Sequence, residues 1–276
     1  MKVVFITPLR GGIGHWSRCL IEELDKFVDL IIVTFKRKRK EDDSNPFTRV
    51  TDPFILEVID PKKVHHIIEY NNKKSLKELI EFTREVKPNC VHFVMWAGKQ
   101  ILWFLKDYSK AMKENSIPIV LTLHDPYPHI IQKDDVKIFT EAYAYATHIV
   151  VLTEDALKEL RKNGVKVPIT VIPHGHYNMM NKNKVDKTEA RKIISKKLSI
   201  KIPENIPIIL FFGFIRDYKG LEYLIRAAPL VLKKHNALFI AAGSLELAEN
   251  PEKYSKEIKN LGLEEKFILF PHFVKD

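Results

Sequence analysis

Two cysteines in 276 residues, Cys19 and Cys90, are too few and too isolated for a disulfide framework or a CxxC metal site. One falls on an expected helix and the other at the entry to an expected strand, so both read as buried free thiols. No apolar run approaches the roughly 20 residues that a membrane span needs. The opening MKVVFITPLRGG has neither the long apolar stretch nor the small-residue cleavage site of a secretory signal. It reads directly as a first strand, and a cytoplasmic location is expected. The chain also lacks a repeat of solenoid period and any low-complexity segment.

What is present describes a globular chain, with 45% hydrophobic and 29% charged residues. Its length exceeds the usual range for one hydrophobic core, so two domains are expected. The formal charge of +10 favours anionic partners: phosphorylated substrates, acidic lipid surfaces or nucleic acid. The densest basic run, Lys36, Arg37, Lys38, Arg39 and Lys40, precedes Glu41, Asp42 and Asp43. It reads either as a solvated loop or as a patch worth roughly 1 kcal/mol per residue towards an anionic bilayer, which makes a peripheral membrane contact an expectation. The run has no interleaved aromatics and the chain no nucleic-acid recognition motif, so nucleic acid is not an expected partner.

Strand and helix patterns alternate along the first half. Strands are expected at residues 2–7, 29–34, 90–95, 118–123, 148–152 and 169–172, and helices at 14–26, 73–86, 100–113, 134–146 and from 153 to near Gly164. Ser75 and Glu78 mark the opening of the helix at 73–86. The polar stretch 41–60 carries no assignment. Residues 173–187 break the pattern, and the alternation restarts with helices at 187–198, 220–234 and 252–261 and strands at 207–212, 237–242 and 266–270. The fold class is therefore α/β, with parallel sheets covered by helices on both faces. The domains are expected at 1–178 and 179–276, the second thin for a doubly wound fold.

Four loops carry candidate chemistry. Residues 205–228, NIPIILFFGFIRDYKGLEYLIRAA, run from an apolar strand covered on both faces through Gly213 to Arg216 and Lys219, just before a helix. A loop at a strand's carboxyl end, next to the free N–H groups of a helix, suits phosphates. Gly11-Gly12-Ile13-Gly14 stands between the first strand and first helix, where glycine permits positive φ and close backbone approach. A dinucleotide fingerprint has GxGxxG spacing and an acid ending the second strand; here the spacing is GGxG, and Thr34-Phe35-Lys36 supplies no acid. A basic strand end still suits a 2′-phosphate, and a ligand-free tight turn is the other reading.

His124-Asp125-Pro126-Tyr127-Pro128-His129 follows another strand. Imidazole and carboxylate there can bind sugar hydroxyls, hold a metal with His129, or stabilise a turn before proline. His174-Gly175-His176 lies where the chain crosses between domains and reads as a hinge with one substrate-facing group, ahead of a zinc HxH. Glu154 reads as a dipole partner at a helix start. Gly243-Ser244 ends a strand and can line a nucleotide. No DxD occurs, which argues against enzymes that hold a sugar nucleotide's diphosphate through a divalent cation.

Taken together, GGIGH, LHDPYPH, HIVVLTEDALKELRKNGVKVPITVIPHG and FFGFIRDYKGLEYLIRAA resemble a retaining glycosyltransferase of the GT-B fold, in family 4. The resemblance implies two Rossmann-like domains facing across a cleft, the first holding the acceptor and the second a nucleotide-diphosphate sugar. It implies catalytic roles for His124, Arg216 and Lys219. Donor-binding positions are then Gly11, Gly12, Gly14, Gly213, Arg216, Lys219 and Gly243; acceptor-side positions are His15, His124 and Asp125. His174 and Gly175 form the interdomain loop. No cofactor and no metal are implied, only a nucleotide-sugar donor and a glycan, lipid-linked or small-molecule acceptor. Such enzymes continue past this point with an E-x7-E signature, so the second domain is expected to be incomplete. An Arg common after the loop glycine is Phe214 here. A noncatalytic nucleotide or anionic-glycan binding module and a sugar-nucleotide epimerase of the same fold are the alternatives.

Overall fold

Val3 and Phe5 pack on one face of the first strand while Val4 and Ile6 pack on the other, so every side chain of that segment beyond Lys2 is buried. The computed structural model describes residues 1–36, 53–69, 72–95, 99–128, 131–177, 185–245, 248, 250–272 and 274. Two compact units divide the chain, Met1–Asn181 and Lys182–Asp276.

The first unit contains β1 (Lys2–Ile6), α1 (Gly11–Leu24), β2 (Asp29–Phe35), α2 (Pro53–Leu56), β3 (Val64–Ile68), α3 (Lys73–Val86) and β4 (Cys90–Met95). It continues with α4 (Lys99–Glu114), β5 (Ile119–Leu123), α5 (Asp135–Tyr143), β6 (His148–Val151), α6 (Glu154–Lys162) and β7 (Ile169–Val171). The seven strands form one parallel sheet in the order β3-β2-β1-β4-β5-β6-β7. Its order reverses at β1, so the crevice that such a reversal opens lies at the carboxyl ends of β1 and β4. α1 and α2 cover one face through Ile21 and Ile55, and α3, α4 and α5 cover the other through Leu79, Tyr108 and Phe139. Cys19 and Cys90 are free and half-buried, and burial raises both thiols' pKa.

β3 carries no strand assignment in the sequence reading. Two histidines interrupt its apolar pattern, and one of them, His66, holds the Phe35 carbonyl through Nδ1 at 2.8 Å. The opening of α3 also differs. Its cap is Asn72, whose side chain accepts from the Lys74 amide at 2.9 Å, while Ser75 is buried and donates to the Ile67 carbonyl at 2.9 Å. Ser75 therefore ties α3 to β3.

The second unit contains α7 (Lys187–Leu198), β8 (Ile208–Phe212), α8 (Leu221–Leu232), β9 (Leu238–Ala242), α9 (Glu252–Asn260) and β10 (Phe267–Phe270), with a parallel sheet ordered β10-β9-β8. α8 and α9 bury Leu221, Ile225, Tyr254 and Ile258 against one face. The expectation of a β8 covered on both faces fails: Leu210 is 59% and Phe212 63% exposed. β8 is the terminal strand of its sheet, and α7 shields only part of the surface on that side, where an apolar groove lined by Ile194, Leu210 and Phe212 remains open.

Candidate functional site

In the second unit the sheet delivers a loop with two cations, Arg216 and Lys219, that have no partner among the described residues. The Gly213 amide donates to the Ala242 carbonyl at 3.1 Å and the Ile215 amide to the Ser244 carbonyl at 2.9 Å, which holds the chain beyond β8 against the end of β9. Ile215 is fully buried and anchors the loop in the core. A 3-10 turn follows at Asp217–Lys219, closed by Gly220 in the left-handed region at φ 71°, after which α8 begins with no side-chain cap. The Tyr223 amide closes on the Gly220 carbonyl at 3.1 Å, and the dipole of α8 adds partial positive charge beside the loop.

Lys219 folds back over the strand end: a methyl group built on Gly213 would sit 3.5 Å from its ammonium. A methyl built on Gly243 would overlap the Gly213 carbonyl, so only glycine lets the two strand ends approach this closely. Gly213, Lys219 and Gly243 therefore converge at the carboxyl ends of β8 and β9. Arg216 is half-buried at the start of the turn, and Phe214 precedes it. Among the described residues neither Arg216 nor Lys219 has an ion pair or side-chain hydrogen bond.

In the first unit the glycine segment is already helical. Gly11 takes φ 60°, Arg10 before it is extended, and the Gly14 amide closes the first turn of α1 on the Arg10 carbonyl at 3.1 Å. Gly11 and Gly12 are exposed with open space where a side chain would stand. Gly14 differs: a methyl there would lie 2.5 Å from Ile55 Cδ1 and 2.8 Å from the Leu9 carbonyl carbon. Packing accounts for Gly14, whereas Gly11 and Gly12 have open space beside their backbone.

His124 stands at the end of β5, its amide donating to the Met95 carbonyl at 3.1 Å. The loop behind it is held by α5, where the Tyr143 hydroxyl donates to the Pro126 carbonyl at 2.5 Å and Tyr127 meets Thr140 at 3.0 Å. Trp16 of α1 packs edge-on against the His124 ring at 4.7 Å, and His174 lies 6.4 Å from it. Burial, then the neighbouring His174, pushes His124 down to about 4, against the opposing pull of Asp125. His124 is consequently neutral at pH 7, and its buried Nε2 has no hydrogen-bond partner among the described residues. His174 Nδ1 donates to the Gly175 carbonyl at 2.6 Å, which leaves Nε2 to accept from the Tyr177 hydroxyl at 3.2 Å.

The first unit thus gathers Trp16, His124 and His174, with Tyr177 edge-on to His174 at 5.4 Å. Trp16 and Tyr177 are absent from the sequence-derived set, because an aromatic on a helix, or alone in a loop, carries no signal separating a site wall from core. His15 sits half-buried just past the first turn of α1, Asp125 is half-buried beside His124, and Gly175 is exposed. Glu154 opens α6 behind the cap Thr153, whose hydroxyl accepts from the Ala156 amide at 3.1 Å. Lys36 is paired with Glu78 at 2.6 Å, while Arg37, Lys38, Arg39, Lys40 and His129 lie outside the described residues. Among the described residues no cluster of three or more His, Cys, Asp or Glu could hold a metal ion, and no helix is long and apolar enough to cross a membrane.

Known proteins match both units. The family model for Glycosyltransferase Family 4 covers residues 10–176, and that for Glycosyl transferases group 1 covers residues 192–276. An uncharacterised glycosyltransferase of Methanocaldococcus jannaschii is 41% identical over 56 residues, 20% of this chain and 14% of that protein's length. Among solved structures, a glycosyltransferase from Rickettsia africae aligns with TM-score 0.67 at 18% identity over 98% of this chain and 67% of its own. The Anabaena protein HepE, solved with UDP and glucose, aligns with TM-score 0.65 at 17% identity over 98% and 69%. A UDP-GlcNAc 2-epimerase from Methanocaldococcus jannaschii aligns with TM-score 0.62 at 14% identity over 100% and 74%. With the Family 4 match spanning more than half of its residues, the chain belongs to glycosyltransferase family 4 and has the α/β architecture of the GT-B fold, its second unit the smaller.

Proposed function

We propose that the protein transfers a sugar from a nucleotide-diphosphate sugar to a glycan, lipid-linked or small-molecule acceptor, with retention of anomeric configuration and without an obligatory metal. The observation that carries this reading is the pair Arg216 and Lys219, cations without a partner among the described residues, at a strand's carboxyl end beside the amino terminus of α8. The costly event in such a transfer is separation of charge as the nucleoside diphosphate departs. Fixed cations and helix amides aimed at that charge stabilise the transition state without reorganising. His124 is neutral at working pH, so it serves an incoming hydroxyl or the donor sugar as a hydrogen-bonding group and not as a cationic acid.

The test is incubation with a panel of sugar nucleotides and acceptors, reading nucleoside diphosphate release and the anomeric configuration of the product. Lys219→Ala should weaken nucleoside diphosphate binding about tenfold or more with the fold intact, the scale expected for removing one charge-assisted contact. Unchanged affinity removes this donor site. A second reading, epimerisation of a sugar nucleotide, has in its favour the alignment with a UDP-GlcNAc 2-epimerase. It is separated by the product: an epimer with the nucleotide still attached supports it, and a glycosylated acceptor excludes it.

A further inference from the structure

The turn that presents Arg216 and Lys219 carries an acid, Asp217, between them. A bare carboxylate at this place repels any anion the cations attract and competes for either of them as a partner. The structure ties it elsewhere. Asp217 Oδ1 accepts from Lys253 Nζ at 2.6 Å and from the Tyr254 hydroxyl at 3.0 Å, both from the start of α9. Tyr254 is 1% exposed and packs in the same core as Ile215, Leu221 and Ile225, so its hydroxyl is held in place. The Lys253 ammonium lies 4.9 Å from the centre of the Tyr254 ring. It also feels Glu222 in the first turn of α8, whose Oε2 is buried without a hydrogen bond among the described residues. The acids around the turn are thus answered from α9.

We propose that Lys253 and Tyr254 are positioning residues for the anion site: they hold and neutralise Asp217, which leaves Arg216 and Lys219 available to a diphosphate. The proposal rests on the reading of Arg216 and Lys219 as the donor's phosphate site. Neither α9 residue touches the ligand in this scheme. Without Lys253, Asp217 turns to a neighbouring cation or stays as a repelling charge, and either outcome costs affinity.

The experiment measures binding of inorganic pyrophosphate and of UDP by calorimetry, with folding checked by circular dichroism. Lys253→Gln should weaken both ligands about fivefold to tenfold at low salt and less at high salt, as befits one partly screened charge near a surface. Tyr254→Phe, which keeps the ring and removes only the hydroxyl, should weaken them about twofold. The decisive variant is Lys253→Gln combined with Asp217→Asn. If the effect is electrostatic, removing the acid restores affinity to within about twofold of the unaltered protein; a merely structural role leaves the double variant as weak as the single one or weaker. Normal binding by Lys253→Gln while Lys219→Ala binds poorly overturns the network and spares the anion site. Normal binding by Lys219→Ala, or no binding by the unaltered protein, overturns the anion site and the network together.

Discussion

His92, on β4, gives a stability prediction that can be worked through in numbers. Its ring packs half-buried against Phe5 at 5.0 Å, its Nε2 meets Thr122 Oγ1 at 2.7 Å, and burial lowers its pKa from 6.5 to about 4. The folded state keeps this imidazole neutral until about pH 4, whereas the unfolded chain protonates it from 6.5 downwards. The unfolded state therefore binds more protons in that window, and stability falls as pH drops through it, the loss levelling off once the folded imidazole is itself protonated below about pH 4. Between pH 7 and pH 5 the cost is about 2 kcal/mol, approaching about 3 kcal/mol near pH 4. Replacing His92 with Gln keeps an amide for Thr122 and removes the titration. All three tryptophans, Trp16, Trp96 and Trp103, fall within residues 1–181, so tryptophan fluorescence follows the unfolding of the first unit. In urea titrations at pH 7 and pH 5, the unaltered protein should lose about 2 kcal/mol more than the variant, roughly 1 M in midpoint. Equal losses in the two proteins refute the argument, whatever the variant's stability at pH 7.

Three further outcomes are expected. His124→Ala should lower sugar transfer more than donor affinity, and the unaltered enzyme's acid limb should fall nearer pH 4 than pH 6.5, read from a pH–rate profile, because burial holds this imidazole neutral. Gly243→Ala drives a methyl into the Gly213 carbonyl, a backbone atom that cannot swing aside, and should destabilise the second unit by about 3 kcal/mol in thermal melts. Thr153→Ala removes the cap of α6 and should cost about 1 kcal/mol, with Thr153→Ser close to neutral by the same measurement.

The alternation of apolar strands and amphipathic helices is legible in the sequence because the strands of a parallel sheet are buried on both faces and the crossover helices on one. Where local chemistry is mixed, legibility stops. Val64–Ile68 carries two histidines, one of which bonds the distant Phe35 carbonyl, and Ser75 resembles a cap residue although its hydroxyl serves a strand. β8 is apolar enough for a central strand, yet its place in the sheet is set by pairing that five residues cannot encode. Among the site candidates, glycine type alone cannot separate Gly14, which packs on Leu9 and Ile55, from Gly11 and Gly12, which face open space. Arg216 and Lys219 stand out in sequence because charge next to a strand–turn–helix pattern is local information. The anchoring of Asp217 by Lys253 and Tyr254 spans more than 30 residues and is visible only in three dimensions.

The distribution of thiols has a practical use. Both cysteines belong to the first unit, and burial lifts each above its ordinary pKa, so little thiolate is present at neutral pH to meet an alkylating reagent. The second unit has none. A single cysteine placed on its exposed surface, at Lys256 for example, would react first with a maleimide dye, giving a site-selective reporter of ligand-induced motion without removal of either native thiol.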